Sequence, residues 1–343
     1  MRRAGLIVIA LGLTGLALPA FDVTLRLVDE GPDWMPVMGL VLFCLGVLVY
    51  WEGQRKVVGL PFADPRAWRR FEKNRGAVAG GVLVILVMLI GFVGPMLAPV
   101  DPNRIFDAGL TEDGVPLGPS SFFLLGADNI GRDELSRLLY GGRVSLSVAL
   151  GAVGIAGVLG FGAGLLSGYF KGALDMSLMA IVDFVLSLPF LLVAIALNRV
   201  IENPKLWTLC VLLGLLSWTT LARVTRAKVL QVRELEYVQA ARALGATHGR
   251  IILRHVLPNV LGPAIVIATT MIANMIIVES AMSFLGLGVK PPTASWGSML
   301  KDGQDYLQFA PRLILLPGLL IVMTVFGFNL LGEGLRDALD PKE

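Results

Sequence analysis

The stretch Val144–Gly168 reads VSLSVALGAVGIAGVLGFGAGLLSG and contains no charged side chain. A helix crosses the hydrocarbon core of a bilayer with about 20 predominantly apolar residues, since each rises 1.5 Å across roughly 30 Å. A core helix of that length in a water-soluble protein would keep a polar face, and this one has none. Seven further stretches pass the same test, approximately 4–21, 34–51, 78–98, 174–200, 206–222, 258–287 and 311–331. Composition points the same way, with 55% hydrophobic residues and 16% charged, against about 25% charged in soluble domains. So few charges cannot coat a water-facing chain of 343 residues, and the sequence reads as an all-α polytopic membrane protein. A net charge of +3 gives no footing for nucleic acid, and Cys44 and Cys210 are isolated in apolar runs, without disulfide or metal-ligand spacing.

Lys and Arg in short loops stay on the cytoplasmic side. Arg55, Lys56, Arg66, Arg69, Arg70, Lys73 and Arg75 lie between the second and third spans, and Arg223, Arg226, Lys228, Arg233, Arg242, Arg250 and Arg254 between the sixth and seventh. An even number of spans separates the two loops, so both fall inside, and both chain ends are expected in the cytoplasm of a bacterial cell. The outside loop 99–143 speaks against this with Arg104, Arg132, Arg137 and Arg143, and the other loops outvote it. The first span, behind Arg2 and Arg3, has the outline of a secretory signal, but Leu18 stands where a cleavage site wants a small residue, so it reads as an uncleaved helix.

No phosphate-binding loop, zinc-binding histidine pair or nucleophile elbow is present, and the two histidines, His248 and His255, sit in a basic loop. No catalytic residue, cofactor or metal site is read from the chain. The loop itself runs EYVQAARALGATHGRIILRHVLPN over Glu236–Asn259. Glu236 to Leu244 favours a helix, Gly245 suits its left-handed end, and Thr247 is a cap for a second helix expected to stop at Pro258. Ile251, Ile252, Val256 and Leu257 should face the core while Arg242, Arg250 and Arg254 stay wet.

Ala240-Ala241, Gly245 and Leu257-Pro258, with nine residues from Ala246 to Arg254 between, resemble the EAA loop of permease subunits of ATP-binding-cassette importers. Gln239 stands where the pattern's leading Glu would be. Further segments resemble the second-type subunit of the dipeptide, oligopeptide and nickel permease family: Leu125–Leu146, Asp183 with Ser187-Leu188-Pro189, Glu279–Gly288 with Pro291-Pro292 and Ser295-Trp296-Gly297, and Asn329–Asp337 with Asp340-Pro341. Arg69–Gly76 fits that family's basic approach to its first core helix. The likeness covers roughly Trp68–Pro341. It implies the six-helix core of a type I importer transmembrane domain, here with two extra N-terminal transmembrane helices that have no counterpart.

On that basis 1–65 is an N-terminal extension, 66–77 a basic cytoplasmic lead-in, 78–335 the permease core with its EAA loop at 236–258, and 336–343 a tail. The resemblance implies a second permease subunit, two cytoplasmic ATPases and an extracytoplasmic solute-binding protein as partners. It assigns coupling to Gln239, Ala240, Ala241, Arg242, Leu244, Gly245, Arg250, Leu257 and Pro258. Asp183 and Glu279, ionisable groups inside spans, and Ser283 beside them are candidates for the translocation path. Asp128, Gly131, Arg132, Asp133, Arg137 and Arg143 form an outer segment, either a salt-bridged cap or a dock for the binding protein. Gly157, Gly160, Gly164 and Gly168 offer small-residue faces for close helix packing. The expected substrate is a short peptide, with nickel or another small solute as the alternative. An ion-coupled secondary transporter using Asp183 or Glu279, and a non-transporting scaffold, remain the rivals from other classes.

Overall fold

The computed structural model describes residues 65–201 and 205–339. The regular elements among them are helices, joined by loops that carry isolated β-bridges. Helix α1 (Pro65–Lys73) leads into α2 (Arg75–Phe92), where the Asn74 side chain accepts the Ala77 amide at 3.1 Å and so caps the first turn. Then come α3 (Glu134–Phe170), α4 (Gly172–Ser187), α5 (Phe190–Val200), α6 (Leu206–Arg233), α7 (Glu236–Ala243) and α8 (His248–Ile251). A π-helical turn, Ile252–Val256, joins α8 to α9 (Leu257–Phe284), and α10 (Trp296–Gly303) and α11 (Arg312–Leu339) follow. Among the described residues α2, α3, α6, α8 with α9, and α11 are long and apolar enough to cross a membrane; α4 and α5, bent by 85° at their junction, pass the same length and composition test only when taken together.

That bend falls at Leu188-Pro189. Leu188 is extended at φ −83°, ψ 133°, as a residue before proline prefers, and Pro189 has no amide to continue the ladder. Ser187 Oγ donates at 2.7 Å to the Phe184 carbonyl.

The helices outrun their apolar segments. Val144–Gly168 lies inside α3, which begins at Glu134 because Asp133 accepts the Ser136 amide at 2.8 Å. Hydrophobicity marks the length suited to lipid, whereas backbone hydrogen bonding continues until something interrupts it. The helix stop expected at Pro258 does not occur: the wide π turn accommodates a residue that lacks an amide, and α8 runs on into α9. Likewise α11 continues past 335 to Leu339. The two spans expected over 4–21 and 34–51, the signal reading of the first, Arg55, Lys56 and the segment 340–343 lie outside the described residues.

Close packing of α3 on α6 dominates the core. A Cβ placed on Gly164 would stand 2.6 Å from Thr225 Cβ, and one on Gly168 2.7 Å from Val229 Cβ; Gly160 meets the Trp218 carbonyl. The small-residue face expected from sequence is therefore Gly160, Gly164 and Gly168, while Gly157 faces open space. Around this seam Leu146, Val148, Leu209, Leu213, Ile276 and Trp296 form the main apolar cluster. A second, smaller cluster lies below α7 and α8.

Candidate functional site

The elbow between α7 and α8 is built from its caps. After Ala243 the chain turns at Gly245, whose φ of +80° is ordinary for glycine and costly for a side chain. The Ala246 amide reaches back to the Ala241 carbonyl at 3.1 Å, and Thr247 Oγ1 accepts the Arg250 amide at 3.4 Å to open α8. Val238, Ile251 and Val256 are fully buried beneath, against Tyr169 of α3 and Val229 and Val232 of α6. Above them Gln239, Ala240, Arg242, Gly245, Arg250 and Arg254 are exposed, and Leu244 shows 88% of its surface. Among the residues assigned to coupling, Ala241 and Leu257 are half-buried and Pro258 is buried, so these three support the elbow from below.

Polar contacts fasten the elbow to its neighbours. Gln239 Nε2 donates to Glu234 Oε2 at 3.0 Å, and Lys171 Nζ, at the end of α3, donates to Glu234 Oε1 at 3.0 Å. The Lys171 bond holds the Glu234 carboxyl below its ordinary range. Asn259 Nδ2 donates to Tyr237 Oη at 3.1 Å, and Tyr169 Oη hydrogen-bonds His248 Nδ1 at 3.0 Å.

At the other end of the bundle, Asp128 gathers the outer segment. Its Oδ1 accepts the Ile130 and Arg132 amides at 3.0 and 2.8 Å, and its Oδ2 accepts Arg132 Nε at 2.6 Å and Arg137 Nε at 3.1 Å. Arg137 and Arg132 continue to Asp302 of α10 at 3.2 and 3.6 Å. Burial raises the Asp302 carboxyl above its usual range, against the pull of those two guanidinium groups. Gly131 turns the chain at φ +87°, and Asp133 caps α3. The Arg143 guanidinium lies 5.5 Å from the Tyr140 ring centre and 3.5 Å from the Phe92 carbonyl. Two of the four arginines that disagreed with the charge rule, Arg132 and Arg137, are thus buried in ion pairs. Arg312, at the start of α11, donates to the carbonyls of Leu117 at 2.6 Å, Leu125 at 3.1 Å, and Pro116 and Ala127 at 3.2 Å. A cleft of about 550 Å³ opens beside this segment, lined by Pro99, Asp101, Asn103, Tyr140 and Thr293 among others.

The two ionisable candidates within spans have opposite settings. Glu279 is 1% exposed, enclosed by α3, α9 and the start of α10, and accepts Ser283 Oγ at 2.7 Å, with the hydroxyls of Ser145, Ser280 and Ser295 around it. The same Ser145 Oγ accepts the Trp296 amide at 3.2 Å, and Trp296 Nε1 donates to the Leu138 carbonyl at 3.0 Å. Glu279 therefore sits within the subunit, away from its surface. Asp183 is exposed on α4 and pairs with Arg223 of α6 at 2.7 Å.

Residues 160–343 match the family described as the inner membrane component of binding-protein-dependent transport systems. The chain belongs to this family. Residues 66–113 match the N-terminal transmembrane domain of oligopeptide transport permease C. The Di/tripeptide transport system permease protein DppC of Pseudomonas aeruginosa is 40% identical over 276 residues, covering 80% of this chain and 91% of that protein. The Glutathione transport system permease protein GsiD of Pectobacterium atrosepticum is 38% identical over 275 residues, covering 80% and 90%. The Dipeptide transport system permease protein DppC of Bacillus subtilis is 40% identical over 277 residues, covering 80% and 85%. This permease is a multi-pass membrane subunit of an ATP-binding-cassette importer, and the ion-coupled alternative finds no support among these relatives.

Sequence reasoning missed Asp302, Arg312, Tyr169 and the contact that His248 makes with Tyr169. Arg312, directly after Pro311 and ahead of an apolar run, was a visible signal of a helix-end anchor. Tyr169 and His248 were not visible as a pair, being 79 residues apart.

Proposed function

We propose that this permease forms half of an import path for short peptides, driven by a cytoplasmic ATPase that docks on the elbow at 236–258. Its partners are a second permease subunit, two ATPases and an extracytoplasmic solute-binding protein, in a bacterial cytoplasmic membrane with both chain ends inside. One observation carries the docking: Leu244, an apolar side chain 88% exposed, stands at the tip of an elbow whose underside is fully buried. A large apolar side chain held out to solvent by a rigid support suits a groove on a partner. Because α8 continues into α9, a push on that tip moves a membrane-crossing helix as one body. The peptide class is supported by the relatives, named for dipeptide, di/tripeptide and glutathione transport. Asp183 with Arg223, exposed on α4 and α6, is assigned to the face shared with the second permease; Glu279 and Ser283 support the path from within.

The test is co-purification in mild detergent together with peptide uptake in reconstituted vesicles. Wild type retains the ATPase, whereas Arg242→Glu and Gly245→Val insert normally but lose the ATPase and at least roughly tenfold of uptake. Unchanged ATPase retention and uptake in both variants would sink the docking.

A further inference from the structure

Tyr169 is the polar tip in the apolar cluster beneath the elbow. It is 3% exposed, surrounded by Val229, Val232, Val238, Ile251, Val256 and Val260. A buried tyrosine hydroxyl needs a partner. It finds one at 3.0 Å on Nδ1 of His248, the first residue of α8, whose ring stands edge-on to the Tyr169 ring at 5.7 Å. Phe170 flanks the same imidazole at 6.0 Å, and Arg233 donates to the Tyr169 carbonyl, fixing the backbone that carries the phenol.

We infer that Tyr169 and His248 form a latch that couples the elbow to α3, so that the motion of the ATPase enters the pore by a second route besides α9. Apolar contact alone is non-directional, and the elbow could slide over Val229 and Val232 with little change in burial. A hydrogen bond at the first residue of α8 fixes the register. The helix so engaged is long: α3 runs from Phe170 to Glu134, next to the Asp128–Arg137–Asp302 cluster, about 55 Å away at 1.5 Å per residue. Its seam against α6 at Gly160, Gly164 and Gly168 leaves little room for independent bending. A phenol both donates and accepts, so it can pair with Nδ1 in either tautomer of the imidazole. His248 and Tyr169 are positioning residues for transport, acting through α3.

This inference rests on ATPase docking at the elbow, and the experiment separates the two. Tyr169→Phe, His248→Ala, their double variant and His248→Gln are each purified as the full complex with both permeases, the ATPases and the binding protein. ATP hydrolysed per peptide imported is then measured in vesicles. Tyr169→Phe keeps the ring in its cluster and His248→Ala alters an exposed side chain, so folding is preserved. Each single change raises the ratio about fivefold, the worth of one neutral hydrogen bond. The double variant matches either single, as for one shared interaction, and His248→Gln, which keeps a polar group in reach, returns toward wild type. A ratio unchanged in the variants with the ATPase still bound overturns the latch, and so do additive effects. An ATPase that fails to bind even the wild type overturns the docking itself.

Discussion

Gln239 donates its side-chain amide to one oxygen of Glu234 at 3.0 Å while Lys171, from the end of α3, donates to the other at 3.0 Å. The chain departs from the EAA pattern at Gln239, and its neighbour supplies a physical reason: a carboxylate there would face Glu234. Gln239→Glu is expected to lower peptide uptake at low ionic strength and to recover with added salt, since exposed charges are screened over about 8–10 Å. Loss of uptake that salt does not relieve would mean that shape, not charge, matters at this position.

The same contact has a pH window. Glu234 is held below its ordinary 4.5, first by the hydrogen bond from Lys171. A depressed carboxyl contributes stability in full above the ordinary value and loses it as pH falls through the lowered one. A spin label at position 244, introduced by Leu244→Cys, should report an unchanged elbow from pH 8 to 5.5 and loosening only below about 4.5. Loosening between pH 7 and 6 would contradict this assignment.

Gly164→Val forces a side chain against Thr225 and the Ala222 carbonyl of α6. It should cost about 1–3 kcal/mol through overpacking, or abolish folding, whereas Gly157→Ala, facing open space, should be neutral or slightly stabilising. Melting of the detergent-solubilised complex checks the order. If the two variants melted in the reverse order, the α3–α6 seam would not be as described.

Arg137→Met leaves Asp128 with one guanidinium partner instead of two and unlinks it from the stronger Asp302 contact. Breaking a buried ion pair on one side costs about 3–5 kcal/mol. The segment 104–132 should become sensitive to protease while ATPase retention at the elbow stays as in wild type. Equal protection of both proteins would show that the cluster does not hold the segment.

Glu279→Leu removes the acceptor of Ser283 and strands the hydroxyls around it, at about 1–3 kcal/mol for each buried group left without a partner. Glu279→Gln keeps an acceptor oxygen and similar volume. The expected melting order is wild type, then Gln, then Leu, with uptake following stability. A Leu variant that melts with the wild type would remove Glu279 from the internal framework.

Much of the architecture was legible in the sequence because its causes are local. Apolar length located α2, α3, α6, α9 and α11, and the Gly245 and Thr247 signals located the elbow. The bend at Leu188-Pro189 carried its proline in plain view, yet the apolar run 174–200 reads as a single stretch because hydrophobicity is blind to direction. Pro258 misled in the opposite sense, since a π turn absorbed it.

The sequence by itself determined that this chain lies in lipid, that its helices end where caps and glycines permit, and that it carries an EAA-like elbow. These follow from hydrophobic length and backbone sterics within a few residues. Only the tertiary structure decided that Glu279 turns inward among hydroxyls while Asp183 stays exposed beside Arg223, and that Asp302 completes a cluster with Arg137, 165 residues away. Only there, too, does Tyr169 meet His248. Burial and pairing depend on which helices approach closely, and that is set by the fit of Gly160, Gly164 and Gly168 against α6, a relation between distant parts of the chain.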